Sequence, residues 1–254
     1  MKKISIEEEE KRLIITPPTH PIFMGFYLMA GIIIALIAFR FPVYVAQSST
    51  LSYALPLGIL SAILIVLSPA LSFVNLIVKR IKTGIIENVL ELQYVDFFGI
   101  PIPVPKMTFR EETMSIAVNI GGALVPLFVS ITLFILMMYS PYSKIFYTAL
   151  IVSLLINTLT TYFLAKPIKG VGIAVPAFIP PIISSIPAIL IAGISPAAAS
   201  AAYISGSMGS LLGADILHLA KEPEKIFAPL VSIGGAGIFD GVFITGLIAF
   251  VIAY

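Results

Sequence analysis

The sequence predicts an all-α polytopic membrane protein of seven transmembrane helices with a small cytoplasmic β-rich insert. Three observations carry this. The 254 residues are 59% hydrophobic and 11% charged, with a mean hydropathy of +1.07, too apolar for one water-soluble core. Seven apolar runs approach the length of a membrane crossing. The basic residues segregate to one side of those runs. Lipid is therefore the main expected partner.

A helix needs about 20 residues to cross roughly 30 Å of hydrocarbon. The runs lie at 22–39, 51–78, 114–138, 145–164, 171–194, 196–219 and 226–254. They divide the chain into a cytoplasmic segment 1–21, two helices in 22–78, an excursion at 79–113 and a five-helix functional core at 114–254. The fifth run contains Pro176, Pro180, Pro181 and Pro187, each lacking a backbone donor, so it is expected to kink or break. In the excursion VLELQYV alternates like a strand and FGIPIPVP forbids a regular helix. The segment KRLIIT at 11–16 is a candidate pairing partner for it.

Of 15 lysines and arginines only Arg40 and Lys144 fall on the side opposite the N-terminus. The positive-inside rule then puts the N-terminus, the excursion and the Lys221–Lys225 turn in the cytoplasm and the C-terminus outside. The start, MKKISIEEEEKRL, is expected to stay attached rather than act as a cleaved signal.

Without cysteine there is no disulfide, thiolate nucleophile or iron–sulfur ligand, and with His20 and His218 alone no His-rich metal site or HExxH motif. No cofactor or metal is expected. A net charge of +2 without a basic tract argues against nucleic acid. Oligomeric state stays open.

Two acids, Asp215 and Asp240, fall within predicted spans, where a carboxylate costs a few kcal/mol and by default has a function. The alternative is helix bonding in protonated form. On regular helices Asp215 lies about 9 Å from Lys221 and Asp240 about 25 Å from Pro223. The depth difference of roughly 16 Å opposes a ready-made aspartyl dyad. It would shrink if SIGGAGIFDG, at 232–241, unwinds and folds back toward Asp215. Half-helix ends and unwound carbonyls are what transporters use to hold ions and solutes, and Asp240 is expected in such a Gly-rich break. This makes Asp240, Gly234, Gly235 and Gly237 one half of a candidate binding site. A second candidate break, Asn119, Gly121 and Gly122 in NIGGALVP, supplies the other half. Close helix packing by small residues explains both breaks equally. Ile-Gly-Gly-Ala recurs at 120–123 and 233–236, a weak internal repeat. His218, three residues after Asp215, shares a helical face with it and suggests a proton path. In the sixth run Ser205, Ser207, Ser210 and Tyr203 either line a polar path or simply pack.

The motifs NIGGALVP at 119–126, GVGIAVPAFIPP at 170–181, AYISGSMGSLLGAD at 202–215 and IGGAGIFDG at 233–241 resemble a family of archaeal and bacterial multipass membrane proteins filed as domain of unknown function 1614. That resemblance implies a membrane fold and no activity. A fainter one is to presenilin-type intramembrane aspartyl proteases, with their Gly-x-Gly-Asp and Pro-Ala-Leu motifs. Gly213-Ala214-Asp215 lacks the first glycine, Gly237-Ile238-Phe239-Asp240 inserts a residue, and Pro69-Ala70-Leu71 precedes the aspartates.

The leading expectation is a small transporter or permease with a midplane ion, proton or solute site around Asp240 and the Gly-rich breaks. Asp215 and His218 would then serve a cytoplasmic gate or proton path. The enzyme alternative is an intramembrane aspartyl protease cutting a transmembrane peptide with Asp215 and Asp240 as its catalytic pair. The third is a non-catalytic membrane scaffold whose excursion binds a partner.

Overall fold

The computed structural model describes residues 12–15, 29, 32–34, 36–37, 40–97, 100–168, 172–176, 178–222, 226, 228–235 and 241–254, with the backbone path at 82–97 and 100–112. The fold is mostly helical. Its helices are α1 Phe41–Gln47, α2 Ala54–Leu71, α3 Val125–Met138, α4 Ser143–Leu164, α5 Ile179–Ala192, α6 Pro196–Ser210, α7 Leu217–Lys221 and α8 Gly241–Ala253. Two π-helical turns, π1 Ile120–Leu124 and π2 Leu211–Ile216, run directly into α3 and α7.

The centre of the bundle is α6. Its residues are all buried except Met208, and it packs against α3, α4, α5 and α8. Alanine, glycine and serine make this possible, because small side chains let neighbouring backbones close in. A Cβ at Gly209 would lie 2.7 Å from Asn157 Nδ2, and one at Gly213 would collide with Thr161 and with the Thr158 carbonyl. Asn157 Nδ2 donates to Ser205 O at 2.8 Å, and Thr161 Oγ1 to Gly209 O at 3.1 Å, fixing α4 along the glycine face. Ser195 caps the start of α6 by accepting from Ala198 N at 3.2 Å, with Pro196 in the first turn where its missing donor costs nothing.

The outer faces are apolar. Ile151, Leu155 and Leu159 of α4, four residues apart on one face, are 57%, 59% and 58% exposed. Stripes of this kind are compatible with lipid contact. Among the described residues three helical stretches are long and apolar enough to cross a membrane: Ala54–Leu71, Ile120–Met138 and Ser143–Leu164.

Several expected spans differ from regular helices. The run at 114–138 begins as strand and turns helical only at Ile120. The run at 226–254 contains a strand, a turn and then the 13-residue α8. The fifth run opens with a short strand at Gly172–Ala174 and continues as the 14-residue α5, with Pro180 and Pro181 in its first turn and Pro187 inside. Hydrophobicity alone cannot separate a buried strand from a helix, and strands shielded by protein satisfy their backbone groups without water. Of the first run only 29, 32–34 and 36–37 are described, all helical.

A four-stranded sheet has the order β1 (Leu13–Ile15), β2 (Val74–Phe97), β3 (Ile100–Asn119) and β6 (Leu230–Ile233). The β2–β3 pair is antiparallel, with irregularities at Ile77/Lys79 and Lys82/Ile86, and it extends past both ends of the 79–113 excursion. The KRLIIT segment contributes β1, which pairs with Val74–Leu76, just before the excursion. Strand β6 runs parallel to β3, with Val118 opposite Ile233. A small hairpin joins β4 (Lys166–Ile168) to β5 (Gly172–Ala174). Ile173 of that hairpin packs with Met114, Ile226 and Val231, so the β elements gather at one end. At another end Thr50 N donates to Tyr139 O at 2.8 Å, and the Tyr44 and Tyr254 rings meet edge-on at 4.8 Å.

Candidate functional site

The described part of the second Ile-Gly-Gly-Ala segment, 233–235, lies beside the first. One begins where strand β3 ends and the other with the last residue of β6. Gly234 has φ +82°, a conformation side chains disfavour. A Cβ there would also lie 2.6 Å from Ala123 Cβ and 2.7 Å from Ala123 N. Glycine is therefore needed at 234 both for the turn and for the contact with the other repeat. Gly235, also at φ +82°, closes that turn by donating to Ser232 O at 3.1 Å.

A buried amide holds the breaks together. Asn119 Oδ1 accepts from Gly122 N at 2.7 Å, capping π1, while Nδ2 donates to Ser72 O at 2.6 Å and Asn75 Oδ1 at 2.9 Å. The same Asn75 oxygen accepts from Ser232 Oγ at 2.7 Å. Ser68 Oγ donates to Gly121 O at 2.7 Å, which ties the end of α2 to π1. Asn75 and Asn119 are fully buried, so these bonds replace hydration the groups have lost.

Asp215 joins this cluster from π2. Its Oδ2 accepts from Gly234 N at 2.7 Å, and the residue is half-buried. The chain at 232–235 does fold back toward Asp215. The acid assigned by depth to a cytoplasmic gate stands instead against the break assigned to Asp240. Asp240 and Gly237 lie outside the described residues.

His218 points elsewhere. Its Nδ1 lies 2.9 Å from Ala214 O and 3.2 Å from Gly213 O, and a carbonyl can only accept, so Nδ1 carries the proton. The ring packs on Tyr162 at 4.8 Å, and Lys221 Nζ lies 4.6 Å from the centre of the Tyr162 ring. Asp215 and His218 thus bond to different partners.

Ser68, Ser72, Asn75 and Ser232 were not singled out from the sequence. The available signal was two buried-type asparagines, Asn75 and Asn119, at the inner ends of apolar runs. Among the described residues no three His, Cys, Asp or Glu side chains group to hold a metal ion. A carboxylate has about four lone-pair positions, and among the described residues the bond from Gly234 N leaves Asp215 able to take a proton or a cation.

Residues 70–252 match the model of a family described as protein of unknown function, DUF1614. The chain belongs to this family. The DUF1614 match takes in every residue of the cluster except Ser68. No curated protein and no solved structure matches the chain. The presenilin likeness has no support in these comparisons.

Proposed function

We propose that this DUF1614 protein is a seven-span transporter or permease that binds an ion, proton or small solute where its two Gly-Gly breaks meet. The observation that carries the reading is the bond from Gly234 N to Asp215 Oδ2. It unites an acid, an unwound turn and, through Gly234 against Ala123, the second break in one place. Discontinuous elements with a carboxylate at the join are the usual design of solute sites in transporters. Asp240, five residues beyond Gly235, is assigned to the same site as a second acid.

The N-terminus and the sheet end are assigned to the cytoplasm, and the C-terminus to the outside. Lys166 and Lys221 belong to the sheet end, whereas Arg40 and Lys144 flank the Thr50, Tyr139 and Tyr254 end, in line with the positive-inside rule. The short α5 and α8 complete their crossings with extended chain, which is permitted where protein shields it.

The test is flux in reconstituted vesicles. Transport that falls at least about tenfold in Asp215→Asn, a rise of roughly 1.4 kcal/mol or more in the barrier, supports the site. Cleavage of a helical peptide, lost equally in Asp215→Asn and Asp240→Asn and without any flux, would replace it with the aspartyl-protease reading. Cellular function that survives both substitutions would favour the scaffold.

A further inference from the structure

The central helix carries a second polar feature that the paired breaks do not use. Ser200, Tyr203 and Ser210 of α6 are 0%, 0% and 4% exposed, and their hydroxyls have no hydrogen-bond partner among the described residues. A buried hydroxyl left unpaired costs on the order of 1–3 kcal/mol. Ser184, Ser205 and Ser207 avoid that cost by bonding a carbonyl three or four residues back, whereas Ser61, Ser130 and Ser153 on other helices are also unpartnered among the described residues but do not repeat along one face.

The spacing is informative. Positions 200, 203, 207 and 210 repeat at three and four residues and share one helical face. In a regular helix Asp215, five residues after Ser210, would lie about 140° away around the axis. The π2 turn changes this. Its i to i+5 bond from Leu217 N to Leu212 O marks a wider turn, which brings Asp215 back toward that face. The face reaches from one turn inside the Ser195 cap to the Gly234 contact, about 22 Å along the helix. Helix α8 closes over it: a Cβ at Gly246 would lie 2.8 Å from Ser207 Oγ and 3.3 Å from the Tyr203 ring. Such close packing favours a proton over a larger solute.

We propose that Ser200, Tyr203, Ser207, Ser210 and Asp215 form a proton-conducting file, and that the ion of the paired-break site is the proton. This rests on the reading of Asp215 as the ion-binding acid. Each hydroxyl accepts a proton on a lone pair and releases its own to the next oxygen, Ser207 first turning its hydrogen away from the Tyr203 carbonyl, so no covalent change remains. Successive side chains stand roughly 5–6 Å apart at Cβ, a gap that one bridging water closes. Asp215 is the last acceptor: its carboxylate becomes a carboxylic acid and then releases the proton at the sheet end.

The experiment uses the full chain in vesicles containing a pH-sensitive dye, with a potassium diffusion potential imposed by valinomycin. Wild type should conduct protons. Tyr203→Phe keeps the ring against Phe41, at 5.3 Å, and should lower the flux at least about tenfold, with Ser210→Ala acting in the same direction. Ser153→Ala on α4 is the control, because Ser153 is equally buried and unpartnered but off the file, and it should leave the flux unchanged. Flux insensitive to Tyr203→Phe and Ser210→Ala, or lost as much in Ser153→Ala, overturns the file. Asp215-dependent sodium or potassium flux without proton flux overturns the file but keeps the site. Absence of any Asp215-dependent flux overturns both.

Discussion

Asn119 and Ser232 donate to the same atom, Asn75 Oδ1, from 2.9 and 2.7 Å. Each stands immediately before an Ile-Gly-Gly-Ala segment, so one buried oxygen at the start of β2 registers both repeats. The parallel pairing of Val118 with Ile233 and the contact of Gly234 with Ala123 follow from that anchor.

Replacing Asn75 with alanine should therefore leave two donors without their acceptor. At about 1–3 kcal/mol for each unsatisfied group, a loss of roughly 2–6 kcal/mol is expected in thermal or denaturant unfolding of the detergent-solubilised protein. Asn75→Asp retains the acceptor oxygen and should cost less. Equal costs for the two variants would mean that the shared acceptor does not hold the breaks together.

Gly234 and Gly193 separate strain from collision. Both have positive φ, +82° and +63°, but a Cβ at Gly193 meets nothing within 4 Å whereas one at Gly234 meets Ala123. With ψ −170° Gly193 sits in an essentially glycine-only region, so Gly193→Ala should cost only the backbone term, about 1–3 kcal/mol. Gly234→Ala should cost clearly more and should weaken transport as well. Similar melting temperatures for the two variants would contradict the close contact of the repeats.

Reporters fused after Lys82, Lys169 and Lys221 should be cytoplasmic, and those after Ser48 and Tyr254 should be outside. A cytoplasmic C-terminus would remove the odd number of crossings and the assignment of the sheet end to the cytoplasm.

The mostly helical fold and its apolar, span-length helices at Ala54–Leu71, Ile120–Met138 and Ser143–Leu164 were legible because long apolar runs carry that signal in composition alone. The weak repeat was legible too, yet four shared residues could not reveal that the segments touch. What could not be read was where apolar chain turns extended. Val74–Val78 and Met114–Asn119 have the hydropathy of a span, but their pairing with each other is a long-range choice that local pattern does not encode. Depth estimates for Asp215 assumed a regular α-helix beside a regular α-helix. The strand at Leu230–Ile233 and the two positive-φ glycines after it bring Gly234 to Asp215 instead. The π turns were equally hidden, since no residue type marks them as Gly or Pro marks a tight turn.

The most direct test of the Asp215–Gly234 site is the backbone amide resonance of Gly234 in the full-length protein in nanodiscs, followed while pH and the sodium or potassium concentration are varied. That amide donates to Asp215 Oδ2 at 2.7 Å, so a proton or cation arriving at the carboxylate changes the charge its N–H faces. The account predicts a saturable shift of the Gly234 signal that vanishes in Asp215→Asn while the other glycine amides of the two repeats stay dispersed as in a folded protein. A Gly234 signal that does not move, or that moves identically in Asp215→Asn, would contradict it.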